Sequence, residues 1–125
     1  MRTSELTGAL LDYWVARAEG FTAEIKSPAQ GVHARCWTLD EEGRAGFGWH
    51  PSTSWAQGGP IIEREVIGFG IPISDLGYQA FLYKEGQPVV AWGKTHLIAA
   101  MRAYVASKFG DEVAAAPSSE IGGGK

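Results

Sequence analysis

Thr95-His96-Leu97-Ile98-Ala99-Ala100-Met101-Arg102-Ala103-Tyr104-Val105-Ala106-Ser107-Lys108-Phe109-Gly110 is the stretch on which the fold turns. Thr95 is a helix N-cap residue and Gly110 a C-terminal stop. Leu97, Met101, Tyr104 and Lys108 recur at helical spacing, and Ile98 and Val105 broaden their stripe. Such a helix needs an apolar surface to lie on. Just upstream, Tyr78 to Tyr83 and Pro88 to Trp92 read as strands joined by a turn at Lys84-Glu85-Gly86-Gln87. A hairpin beside a helix belongs to an α+β arrangement, with the hairpins forming an antiparallel sheet.

Working outward, Thr3 or Ser4 caps a first helix that runs to about Glu19, with Gly20 as its stop. Leu6, Leu10, Tyr13, Trp14 and Arg17 mark one face, apolar with a charge at its end. Phe21 to Gln30 looks irregular. Val32 to Leu39 reads as a strand, Asp40-Glu41-Glu42-Gly43 as a turn, and Arg44 to Trp49 as a second, Gly-interrupted strand. The expectation is a small α+β domain over residues 1–113. Its antiparallel sheet has about four strands, with N-terminal, short middle and C-terminal helices packed on it. Residues 114–125 read as a disordered tail.

Composition sets outer bounds. The chain has 125 residues, 45% hydrophobic and 11% aromatic, which suits one domain with a real core. A net charge of −3 argues against binding a nucleic-acid polymer, which relies on a basic footprint. Cys36 is the single cysteine, so no internal disulfide forms and a reducing compartment is expected. The first residues lack the apolar core of a signal peptide, and no run approaches the roughly 18 apolar residues of a membrane span. These features predict a soluble, cytoplasmic protein that uses no membrane.

Glycine is over-represented, at 17 residues, and ten of them lie between Gly43 and Gly93. At the centre of that region stands Trp49-His50-Pro51-Ser52-Thr53-Ser54-Trp55-Ala56-Gln57-Gly58-Gly59-Pro60. Pro51, Gly58-Gly59 and Pro60 interrupt any long element, so a short helix is expected only from Ile61 to Ile67, with Pro60 at its first turn. Ile62 and Val66 would share one of its faces.

Three segments resemble the NinX-like family of tailed-phage proteins, a family of unknown function. They are Thr3-Ser4-Glu5-Leu6-Thr7-Gly8 through Ala16-Arg17-Ala18-Glu19-Gly20, Pro51 through Glu65, and Leu97-Ile98-Ala99-Ala100-Met101-Arg102 through Val113. The family's usual Thr-Pro ahead of the last helix is Thr95-His96 in this chain. The resemblance implies a phage accessory protein acting inside a bacterium and brings no assigned chemistry with it.

The residues themselves favour binding over catalysis. His33 and Cys36 lack the paired partners of a zinc site, so neither metal nor cofactor is expected. Ser52, Thr53 and Ser54 near His50 have no nucleophile-elbow motif around them, and Glu63 and Glu65 point to different sides of a helix. A binding loop reads better. Trp49 and Trp55 offer flat faces to a ring, although each also suits a core position. Ser52, Thr53 and Gln57 offer polar contacts, Gly58 and Gly59 bare backbone, and Arg64 a fork for phosphate. Lys94 and Thr95 at the last helix start form a second candidate anion site. Arg102 is divided between a ligand role and pairing with Glu63 or Asp111. The expectation is a non-enzymatic protein that sequesters a phosphate-bearing nucleotide signal of host defence, an ADP-ribose derivative or cyclic nucleotide. The alternative is inhibition of a host enzyme by protein contact, and a homo-oligomer with its pocket between subunits is compatible with the signal-binding reading.

Overall fold

The computed structural model describes residues 1–26 and 33–114. Most of the expected tail therefore lies outside the described residues, as does Val32 at the start of one expected strand. Among the described residues the chain forms three α-helices: α1 (Gly8–Ala18), α2 (Trp55–Glu65) and α3 (His96–Phe109). Six strands accompany them: β1 (Ala23–Lys26), β2 (Arg35–Leu39), β3 (Ala45–Gly48), β4 (Gly68–Phe69), β5 (Tyr78–Lys84) and β6 (Gln87–Gly93). The α+β class holds, but the strands divide into two three-stranded antiparallel sheets, β1-β2-β3 and β4-β5-β6, where one sheet of about four was expected.

Each sheet has its own helix. α1 packs on β1 and β2, α3 packs on β5 and β6, and the two helices pack on each other. This placement explains why α3 is buried well beyond its expected stripe. Leu97, Met101, Tyr104 and Val105 are buried as anticipated, and so are Ala99, Ala100 and Ala103. The alanines let α3 approach neighbours on more than one side. The Thr95 hydroxyl accepts the Ile98 N–H at 3.1 Å, the expected cap.

The first helix begins later than expected. Thr3–Glu5 is a single 3-10 turn, Leu6 is extended and fully buried, and Gly8 turns the chain at φ +59° before α1 continues. Gly20 does end it, at φ +87°. The Gly20 N–H bonds the Arg17 carbonyl and the Phe21 N–H bonds the Ala16 carbonyl, the paired bonds of a Schellman stop. The two ends of the described chain are laced together, with the Thr3 N–H donating to the Asp111 carbonyl at 2.8 Å.

The largest departure is α2, which runs straight through Gly58-Gly59-Pro60. Pro60 removes the donor that would reach the Ala56 carbonyl, but Ala56 is exposed and water can take that bond. Two glycines cost about 1 kcal/mol each in helix propensity. Gly58 offsets its share by close packing, because a Cβ there would lie 2.6 Å from the Pro51 carbonyl oxygen and 2.7 Å from Leu97 Cδ2. Gly58 and Ile61 are the buried residues of this helix, and Val66 lies beyond its end, 80% exposed.

Val66 takes the left-handed cap conformation, φ 55°, where glycine is the usual residue. A β-branched side chain there costs about 1–2 kcal/mol, and its exposure means it contributes little burial in return. Val66→Gly is expected to raise stability by about 1 kcal/mol in urea unfolding. A loss of stability would show that the Val66 side chain makes a contact worth more than the strain.

Candidate functional site

The loop between β3 and α2 is held by a side chain from α2. Gln57 Oε1 accepts the His50 N–H at 2.7 Å, and Gln57 Nε2 donates to the Gly48 carbonyl at 2.9 Å. The Thr53 and Ser54 N–H groups both return to the His50 carbonyl at 3.0 Å, closing a tight turn. That turn buries Ser52 and places it against α1. The Ser52 N–H donates to Asp12 Oδ1 at 2.9 Å, across 40 residues of sequence.

Asp12 is 5% exposed, an unusual place for a carboxylate. It lines a cavity of about 480 Å³ with Gly8, Ala9, Cys36, Trp37, Trp49, His50, Ser52 and Thr53 among its walls. This size falls within the range of small-molecule sites. Burial pushes the Asp12 carboxyl up to about 6, although the Ser52 hydrogen bonds and the charge of His50 pull the other way. The sequence carries one sign of this residue. Ala9, Val15 and Ala16 lie three or four positions from Asp12, so a carboxylate sits on a helix face of apolar side chains.

A second concavity of about 440 Å³ lies on the other side of the same turn. Ser52 and Thr53 line both. Trp55, Tyr78, Lys94, Thr95 and His96 complete much of the second wall. The His96 ring stacks at 4.0 Å between centroids on Tyr78 and meets Phe69 edge-on, which fixes the start of α3. Lys94 and Thr53 are exposed, and Trp55 is 57% exposed.

The expected site residues therefore divide. Ser52, Thr53, Trp55, Lys94 and Thr95 come together at the second concavity, and Trp49 with Ser52 and Thr53 at the first. Trp49 is also a core residue, 6% exposed, with Phe21 and Phe47 edge-on against its ring. Gln57 and Gly58 serve the loop and the helix contact already described, and Gly59 borders neither concavity. Arg64 stands elsewhere. Its guanidinium grips the Glu19 carboxylate at the end of α1, donates to Glu65 at 2.8 Å and reaches the Tyr104 hydroxyl at 3.1 Å. Burial works to raise the Glu19 carboxyl, but hydrogen bonds from Arg64 and Tyr104 outweigh it and hold it low. Arg64 is thus a strut joining three helices. Arg102 pairs with neither Glu63 nor Asp111; it donates to the Leu6 and Trp92 carbonyls at 2.7 Å, fastening the N-terminal segment to β6.

Cys36 sits in the wall of the first cavity, 2% exposed. Burial, with the charge of Asp12, pushes its thiol up to about 12, so almost no thiolate forms at neutral pH. Ellman's reagent is expected to titrate no thiol in the native protein within minutes and one in denaturant. Rapid native labelling would mean the cavity wall opens. Among the described residues, no three His, Cys, Asp or Glu side chains group as a metal site, and no helix is long and apolar enough to cross a membrane.

The three segments that resembled a phage family lie on α1, on the turn with α2, and on α3, the elements that build and brace these two concavities. Residues 2–108 match the family described as bacteriophage P22, NinX. The chain belongs to this family. The match takes in the whole of the candidate site, from Gly8 to Ile98. No curated protein matches the chain significantly.

Proposed function

We propose that this NinX-family protein binds and sequesters a small nucleotide-type signal of host defence, without catalysis, in the cytoplasm of the infected bacterium. One observation carries the reading: Ser52 and Thr53 form the common wall between an indole-lined cavity and a rim bearing Lys94 and the start of α3. A nucleotide has the same division. Its ring suits the cavity bounded by Trp37 and Trp49, and its phosphate suits Lys94 with the free N–H groups of the helix end. Sequestration requires affinity alone, in keeping with a site that has polar contacts and no paired acid and base. The phage setting supports a host-made target, an argument from context rather than from geometry.

Titration calorimetry against cyclic mono- and dinucleotides and ADP-ribose derivatives tests the reading. Saturable heat with at least one is expected, weakened about tenfold or more by Lys94→Glu, since Lys94 is exposed and its replacement leaves the core intact. Absence of heat across the panel, at protein concentrations well above micromolar, overturns it.

A second reading has its own observation. Ile71, Ile73 and Leu76, between β4 and β5, are 84%, 48% and 51% exposed. Apolar side chains of that kind suit contact with a host enzyme. A host protein that co-purifies with the chain, and is lost on Ile71→Asp, while nucleotide extracts of the preparation are empty, would favour this reading over sequestration.

A further inference from the structure

We infer that the Asp12 cavity is a guanine site, an inference that rests on the nucleotide reading above and narrows it to one base. Asp12 is 95% withdrawn from solvent and lines the cavity beside Ser52. An ionised carboxylate has about four acceptor positions and no donor. Ser52 is its hydrogen-bonding residue among the described residues, with its N–H on Oδ1 and its hydroxyl also bonded to the carboxylate. Among the described residues no other donor is bonded to the remaining lone pairs, and the indole N–H groups of Trp37 and Trp49 in the same walls are themselves buried without a partner.

The nucleobases differ in what they bring to such an acceptor. Guanine presents N1–H and the N2 amino group side by side, two parallel donors that match the two oxygens of one carboxylate. Adenine and cytosine each present an amino group beside a ring acceptor, so one carboxylate oxygen would face a lone pair. Uracil has a single N–H flanked by two carbonyls. Only guanine meets a carboxylate with a donor at each oxygen, and a forked, charge-assisted contact of this type is strong. Trp37 and Trp49 beside it supply aromatic walls for the ring, while Lys94 beyond the Ser52–Thr53 partition is placed for the phosphate.

Calorimetry with GMP, IMP and AMP as probes separates this inference from the reading beneath it. IMP keeps N1–H and lacks the N2 amine; AMP reverses the pattern. GMP is expected to bind about tenfold tighter than IMP and about a hundredfold tighter than AMP. Asp12→Asn is expected to remove most of that preference, lowering GMP affinity about 10- to 100-fold and leaving AMP affinity little changed. The wild-type series decides the matter even if the variant proves awkward. AMP or an ADP-ribose derivative binding as tightly as GMP overturns the guanine assignment and leaves nucleotide sequestration standing. Equal GMP affinity in Asp12→Asn overturns it as well. If no nucleotide of any base binds, both fall together.

Discussion

Asp12→Asn stabilises the free protein at pH 7.5 by about 2 kcal/mol, or roughly 5–10 °C in Tm, in a thermal or urea unfolding comparison. The sign follows from burial. Asp12 titrates near 3.8 when unfolded and at about 6 when folded, because taking the carboxylate out of water disfavours its charge. Between those values the native state holds a proton that the unfolded state has lost, so wild-type stability rises as pH falls through 6 and levels off below 3.8. Above pH 6 the group is ionised in both states, and the fold carries a penalty on the order of 3 kcal/mol. Asparagine keeps an oxygen for the Ser52 N–H and discards the charge. Its advantage should shrink to about half near pH 5 and close near pH 4. A constant offset across pH, or a less stable variant, would show that the carboxylate is not the cost.

Asp12→Ala separates charge from hydrogen bond. It also removes the charge but orphans the buried Ser52 N–H, at about 1–3 kcal/mol, so it should fall below Asp12→Asn. A carboxylate that weakens the fold at neutral pH, in the wall of a cavity, has the profile of a residue kept for binding. Stability and the guanine contact are thus two readouts of one side chain, and they should move in opposite directions in Asp12→Asn.

What could be read from the sequence follows from which forces were local. α3 and the β5–β6 hairpin were legible because cap, stop, stripe and turn all agree. Glu85 and Gly86, at φ 53° and 80°, make the two-residue turn that the spacing implied. β1 and β4 were missed because four residues and two residues carry no usable period. Without them, one sheet of about four strands was the natural sum. α2 was misjudged because rules for glycine and proline describe an isolated helix, and Gly58 answers to Pro51 and Leu97 instead. By residue type Arg64 suited a phosphate and Arg102 a ligand of some kind. Nothing near them in sequence shows that Glu19, 45 residues from Arg64, and Leu6, 96 residues from Arg102, already hold their guanidinium groups. The candidate site was half legible: the Ser52–Trp55 turn and Lys94 stood out, while the carboxylate across from them did not.

Adjacent glycines in α2 should respond to alanine with opposite signs. Gly59→Ala adds a Cβ whose nearest neighbour is Trp55 Cε3 at 3.9 Å, an ordinary contact, so it should gain about 0.5–1 kcal/mol from helix propensity and a less flexible unfolded chain. Gly58→Ala earns the same propensity but drives its Cβ to 2.6 Å from a backbone oxygen of Pro51 and 2.7 Å from Leu97 Cδ2. Leu97 can rotate aside; the Pro51 carbonyl cannot, because the turn after it is fixed by Gln57 and by the Ser52–Asp12 bond. Overpacking of this type costs about 1–3 kcal/mol, and the upper end applies where backbone must move. Gly58→Ala should therefore lower Tm by about 10 °C while Gly59→Ala raises it by a few degrees. The displacement would travel through Pro51 to Ser52 and Thr53, so ligand affinity should fall in Gly58→Ala and hold in Gly59→Ala. Equal responses at the two positions would mean that α2 does not pack on the turn as closely as these distances require, and the partition between the two concavities would lose its support.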